Sequence, residues 1–252
     1  MVRRVEPRPL VVTAATLVVV FLLWESALLA PLKLFVVLFH EISHGLAAIL
    51  TGGSIERLRL FASEGGVAFT RGGNRFLILS AGYLGSSLWG AALLRLSAAG
   101  PGVRRGLLTA MGAALGLIAL LYAHDLFTFG YVALAALTVI LLALRAPTSW
   151  HHWVLYIVGS VSCLYAVVDI GTGILAGGPV AWIFGPRTLN DAAMLAELTG
   201  IPAFVWGILW TGIAVAIYGG TVLRLGPRGP AFAQVTGRRS AAQTLLDEID
   251  RL

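Results

Sequence analysis

His40, Glu41 and His44 stand in LFHEISHGLA (Leu38 to Ala47), a stretch otherwise apolar enough to lie in a lipid bilayer. In a helix, residues four apart share a face, so both imidazoles can be presented to one point with the glutamate beside them. Such a point can hold a metal ion. The spacing H-E-x-x-H supplies two nitrogen ligands and a carboxylate able to take a proton from water; catalytic zinc needs one further protein ligand and an open position. On this reading His40 and His44 are ligands and Glu41 is the general base. The competing reading is a pair of core histidines bonded to neighbouring helices. Against it, ionisable groups within an apolar span are costly and as a rule mark function.

The elements that must position these residues are helices of a membrane protein. Of the 252 residues 58% are hydrophobic and 12% charged, with a mean hydropathy of +0.88, against roughly 25% charged in an ordinary soluble domain. Apolar runs of about the 20 residues needed to span a bilayer occur at 10–30, 32–50, 76–97, 106–123, 126–144, 153–176 and 201–222. The fold class expected is therefore an all-α polytopic membrane protein with six or seven transmembrane helices. The first run is long and lacks a signal-peptide cleavage pattern, which makes it a retained span. Arg3, Arg4 and Arg8 before it place the amino terminus in the cytoplasm.

The net charge of +6 comes from arginines in loops and tail, where they orient the chain and meet anionic headgroups, and no nucleic-acid motif accompanies it. The single cysteine, Cys163, excludes an internal disulfide or a thiolate metal cluster. Between the second and third runs, SIERLRLFASEGGVAFTRGG alternates apolar and polar residues on both sides of SEGG, the pattern of strand, turn and strand. A hairpin at membrane depth is tolerated where it pairs with itself or lines a protein cavity, so a short membrane-associated β-hairpin is expected after the second helix. Residues 1–225 then form the transmembrane domain. Residues 226–252 form a Gly, Pro and Arg-rich linker and a short amphipathic tail helix carrying Leu245, Leu246, Ile249 and Leu252.

The HEISHGLAA segment in an early span, followed by LTGG, GGVAFTRGG, LSAGYLGSSLWGA and, late in the chain, NDAAMLAELTGIPAFVWGILW, resembles the site-2 protease class of intramembrane zinc metalloproteases, in particular its compact bacterial members without a PDZ domain. The resemblance implies a zinc ion (Zn2+) held within a bacterial cell membrane and reached by water from the cytoplasmic side. It implies a transmembrane protein as substrate, and a third ligand that is an aspartate on a later helix. Two departures stand out: the N-x-x-P-x-P-x-L-D-G sequence of better-known members is missing, and Ser86 occupies the place of the asparagine in their A-G-P-x-x-N motif.

For the third ligand, Asp247 and Asp250 fall in the tail, leaving Asp125, Asp169 and Asp191. Asp191 is favoured: it opens the long last helix behind Asn190 as cap, precedes the small Ala192 and Ala193, and gains from the helix dipole as an ionised carboxylate. Asp169 is the runner-up, as a ligand or as an acceptor orienting a ligand histidine. Asp125, in AHDLF, reads as part of a solvated turn. WHHW at 150–153 reads as an interfacial belt, and Glu25 as a residue reaching the interface.

Gly82, Gly85, Ser86 and Gly90 are spaced for close helix contact. A substrate segment could lie beside that thin surface and along the hairpin, which assigns Gly65, Gly66, Val67, Phe69 and Ser86 to substrate binding by strand addition. The rival functions are non-proteolytic: a metal transporter, which should show repeated halves that are not seen here, or a protein that binds client helices without cutting them. A purely structural zinc site has no need of Glu41. The oligomeric state is left open.

Overall fold

The computed structural model describes residues 15, 18–24, 26–184 and 190–225. Seven helices and one hairpin are named here: α1 (Ala30–Leu50), β1 (Ser54–Phe61), β2 (Gly65–Arg71), α2 (Arg75–Ser97), α3 (Pro101–Tyr122), α4 (Leu126–Arg145), α5 (Thr148–Phe184), α6 (Asp191–Thr199) and α7 (Ala203–Leu225). All but α6 contain a stretch long and apolar enough to cross a membrane, and that stretch of α5 is Thr148–Gly171. The chain is thus an integral membrane protein of helical fold with a small antiparallel sheet, as its apolar runs require. Residues 10–14, 16, 17 and Glu25 of the first run, and the tail helix expected after 225, lie outside the described residues.

Local chemistry sets the helix ends. Pro31 and Pro101 stand in the first turns of α1 and α3, where a missing N–H costs nothing; Pro101 is why α3 starts five residues before the apolar run at 106. Asn74, Asp125 and Asn190 cap α2, α4 and α6, accepting from the amides of Leu77, Thr128 and Ala193 at 3.2, 3.0 and 2.8 Å. Such caps contribute about 1 kcal/mol each. One expectation is corrected here. Asp191 opens a separate nine-residue helix, α6, and not the long last helix. Gly200, at φ +75°, ends α6 in the left-handed conformation, and Pro202 has no N–H with which to continue it.

The hairpin pairs Leu58 with Ala68 and Leu60 with Gly66, with a bulge between Ile55 and Arg57. It runs along α1: a Cβ on Gly45 would meet Ile55 within 2.8 Å and one on Gly66 would meet Val37 within 2.9 Å. The outer edge of β1 is taken up by a bridge from Leu58 to Ala123 and by the Leu60 amide, which donates to Thr128 Oγ1 at 2.9 Å. Helix α2 lies against both α1 and α5, and α7 closes against α2 and α5. The core is continuous from Val36 and Leu38 of α1, through Leu58 and Leu60 of β1, to Trp210 of α7.

Candidate metal centre

The three residues singled out for metal binding meet, although 151 positions separate His40 from Asp191. His40 Nε2 lies 2.9 Å and His44 Nε2 3.3 Å from the same oxygen, Oδ2 of Asp191. One potential ligand atom from each of the three lies within 4.8 Å of the other two, and all three side chains are buried. The two rings are edge to face with centroids 4.7 Å apart. Helical spacing on α1 aims both at α2, and the capped start of α6 carries the carboxylate to them.

The donor chemistry fits a metal ion. His44 Nδ1 faces the carbonyl of Ile78 at 2.6 Å; a carbonyl can only accept, so Nδ1 carries the proton and Nε2 keeps its lone pair for a ligand. His40 presents the same nitrogen. A carboxylate oxygen brought to both nitrogens completes a mixed N, N, O set of the kind that binds catalytic divalent metals.

Two glycines make room. An added Cβ on Gly82 of α2 would fall on the His40 ring and within 2.6 Å of His44 Nε2. An added Cβ on Gly66 of β2 would lie 2.7 Å from Glu41 Oε1. Glu41 is therefore enclosed between its own helix and the hairpin, and the Ala68 main-chain N–H is turned toward its carboxylate. The strand register explains that orientation. In an antiparallel pair the N–H and C=O of a residue point the same way. Leu58 and Leu60 point theirs out of β1, so their partners Ala68 and Gly66 point theirs out of β2.

The other expected site residues fall in several places. Gly66 meets Glu41, whereas Val67 and Phe69, one residue out of phase, belong to the opposite face of the strand with Arg59 and Arg57; the Arg57 guanidinium lies 4.1 Å from the Phe69 ring centroid. Gly65 closes the pairing at the turn. Ser86 is fully buried in the contact of α2 with α5, its carbonyl accepting from Ser162 Oγ at 2.8 Å. Asp169 stands apart from the His pair as an acceptor for Tyr83 Oη at 2.6 Å. Asp125 is the expected turn residue, capping α4, and its neighbour His124 is exposed. In WHHW the tryptophans are exposed, as an interfacial belt requires, but His151 and His152 are buried and turned inward, which corrects their reading as headgroup anchors.

Sequence reasoning missed Tyr83 and Tyr165, whose rings pack edge-on to His40 at centroid distances of 4.7 and 5.6 Å. It also missed Ala68. The alternation that marks the hairpin, continued through its turn, puts Ala68 in phase with Gly66 and was the available signal.

The model of the family described as Peptidase M50B-like matches residues 13–221. No curated protein and no solved structure matches the chain. Five of the six membrane-length helices and all but the last turn of the sixth, the hairpin laid over H-E-x-x-H and the aspartate delivered from late in the chain fall within that match, and the chain belongs to the Peptidase M50B-like family, of the site-2 protease class.

Proposed function

We propose that this chain is an intramembrane zinc endopeptidase that hydrolyses a peptide bond in or near a transmembrane segment of a membrane-protein substrate. One observation carries the reading: both imidazoles of a single helical turn converge on one carboxylate oxygen, all buried, with a second carboxylate one residue along. His40, His44 and Asp191 would hold the ion, which when bound supplies Lewis acidity toward a carbonyl and toward water. Glu41 is the proton carrier: it takes a proton from the attacking water and returns it to the leaving amine. Burial beside the hairpin keeps its carboxylate close to the ligands and out of bulk solvent.

A transmembrane helix hides its carbonyls in its own hydrogen bonds, so a substrate must be unwound before attack. The main chain of Gly66 and Ala68, directed out of β2 beside Glu41, suits an added strand, which draws its affinity from main-chain bonds and not from one side-chain sequence. Gly65, Val67 and Phe69 belong to the same proposal as flanking contacts along the hairpin, whereas Ser86, fully buried between α2 and α5, lies outside it. The expected setting is a bacterial cell membrane with the amino terminus in the cytoplasm.

The deciding experiment pairs two variants. Purified protein should carry about one zinc per chain, which Asp191→Asn loses. Glu41→Gln should keep the zinc and reduce cleavage of a co-expressed membrane substrate by about 100-fold or more. Zinc kept in full by Asp191→Asn removes that ligand, and undiminished cutting by Glu41→Gln removes the general base and returns the reading to non-proteolytic metal binding.

A further inference from the structure

The tip of the hairpin carries a residue that its backbone does not favour. In the loop Ala62, Ser63, Glu64, the Glu64 amide donates to the Phe61 carbonyl at 3.0 Å and pairing resumes between Phe61 and Gly65. Glu64 has φ +66° and is the one non-glycine residue with positive φ among the described residues. Three-residue hairpin loops of this kind place glycine at that position, because a Cβ in the left-handed region is a steric cost. Two glycines follow immediately, so a turn with glycine in register lay within a one-residue change of sequence.

What the glutamate adds is an ion pair with Lys33, in the first turn of α1. Lys33 is buried to 5% exposure, and its ammonium also lies 5.6 Å from the Trp24 ring centroid. A buried ammonium needs a counter-charge, since removing one partner of such a pair leaves the other uncompensated. Glu64 supplies it while remaining partly exposed. The geometry extends to the metal centre. Lys33 lies eight residues before Glu41 on the same helix, about 12 Å along its axis, and Glu64 lies two residues before Gly66, which touches Glu41.

We propose that Lys33 and Glu64 are a positioning pair: by tying the hairpin tip to the start of α1 they set the β2 main chain at Glu41, where substrate is bound. The functional half of this inference rests on the proteolytic reading above; the structural half does not. The strained φ at Glu64 is tolerated because the ion pair holds the strand over the site.

The test separates backbone strain from tethering. In the full-length protein with Cys163→Ala, spin labels at Ser63→Cys and Leu28→Cys, both exposed, report the distance from the hairpin tip to the segment before α1. Glu64→Gln removes the charge and keeps the strain; Glu64→Gly removes both. Both should broaden the distance distribution, leave the zinc content unchanged and raise KM about tenfold with a smaller effect on kcat, a modest loss for a misplaced binding element. The charge exchange Lys33→Glu with Glu64→Lys should restore the narrow distribution and KM.

An unchanged distribution in both Glu64 variants overturns the pair, and so does a broadened distribution with unchanged KM. Should the parent cut no substrate while carrying zinc, the proteolytic reading fails alone, and broadening in the variants still supports the tether.

Discussion

The chain has two histidine pairs, and the molecule uses them in opposite ways. His40 and His44, four apart on α1, turn their Nε2 atoms to one point and share one carboxylate oxygen. His151 and His152, adjacent on α5, diverge by about 100° of helical turn. His151 Nε2 donates to the Leu142 carbonyl in the last turn of α4 at 3.0 Å, and His152 Nδ1 to the Ser97 carbonyl at the end of α2 at 2.8 Å. Arg104 joins the second cluster, donating to the carbonyls of Ser97 and Thr148 at 3.2 and 3.3 Å. The Ser97 carbonyl stands at the end of α2, where intrahelical partners run out; Leu142 also accepts from the Ala146 amide, and Thr148 opens α5. The first pair keeps nitrogen lone pairs convergent and can hold an ion; the second spends its donors on joining helices.

Removing one histidine from each pair should give the largest difference. His44→Ala should abolish stoichiometric metal and reduce cleavage about 1,000-fold or more, while His151→Ala should leave metal content unaltered; mass spectrometry of the metal-loaded protein decides, and equal losses would erase the distinction. A smaller effect is expected from Gly82→Val, whose side chain would be driven into both ligand rings. Displacing correctly typed ligands should weaken metal binding by about 10 to 100-fold, read by competition with a chelator.

For the joining cluster, His152→Ala leaves the Ser97 carbonyl with one donor fewer and should destabilise the protein by about 1–2 kcal/mol, seen as a lower Tm in detergent with zinc retained. The smallest effect concerns Asp125, beside the exposed His124. The Thr128 amide holds its carboxyl below the usual carboxylate range. A lowered folded-state value means that this stabilisation is fully present above the ordinary carboxylate pKa, about 3.9, and fades as pH falls through the lowered value. Asp125→Ala should therefore cost about 1 kcal/mol at pH 7, and its Tm difference from the parent should shrink as the pH drops below about 4.

Much of the candidate site was legible because its signals are local. His40, Glu41 and His44 declare themselves through the periodicity of one helix, the hairpin through its alternation around SEGG, and the helix start at Asp191 through Asn190 before it. What was not legible shares a cause. The strand pattern marks two faces without saying which meets α1, so Gly66 and Ala68 could not be told from Val67 and Phe69. The break between α6 and α7 turned on Gly200 and Pro202, whose local signal was outweighed by the apolar run around them. The aromatic neighbours of His151 and His152 describe the exposed side of α5 and are silent about the carbonyls on its inner side.

By itself, the sequence determined that this is a helical membrane protein carrying two imidazoles and a carboxylate on one turn of an early span, because hydropathy, i to i+4 spacing and caps act over a few residues. Only the tertiary structure decided that Asp191, and not Asp169, reaches those imidazoles, that Gly82 and Gly66 clear the space around them, and that Lys33 and Glu64 meet at the far end of the hairpin. Those are contacts between segments distant in the chain. They depend on which helix faces pack together, a choice set by shape and burial across the whole bundle and by no short stretch of residues.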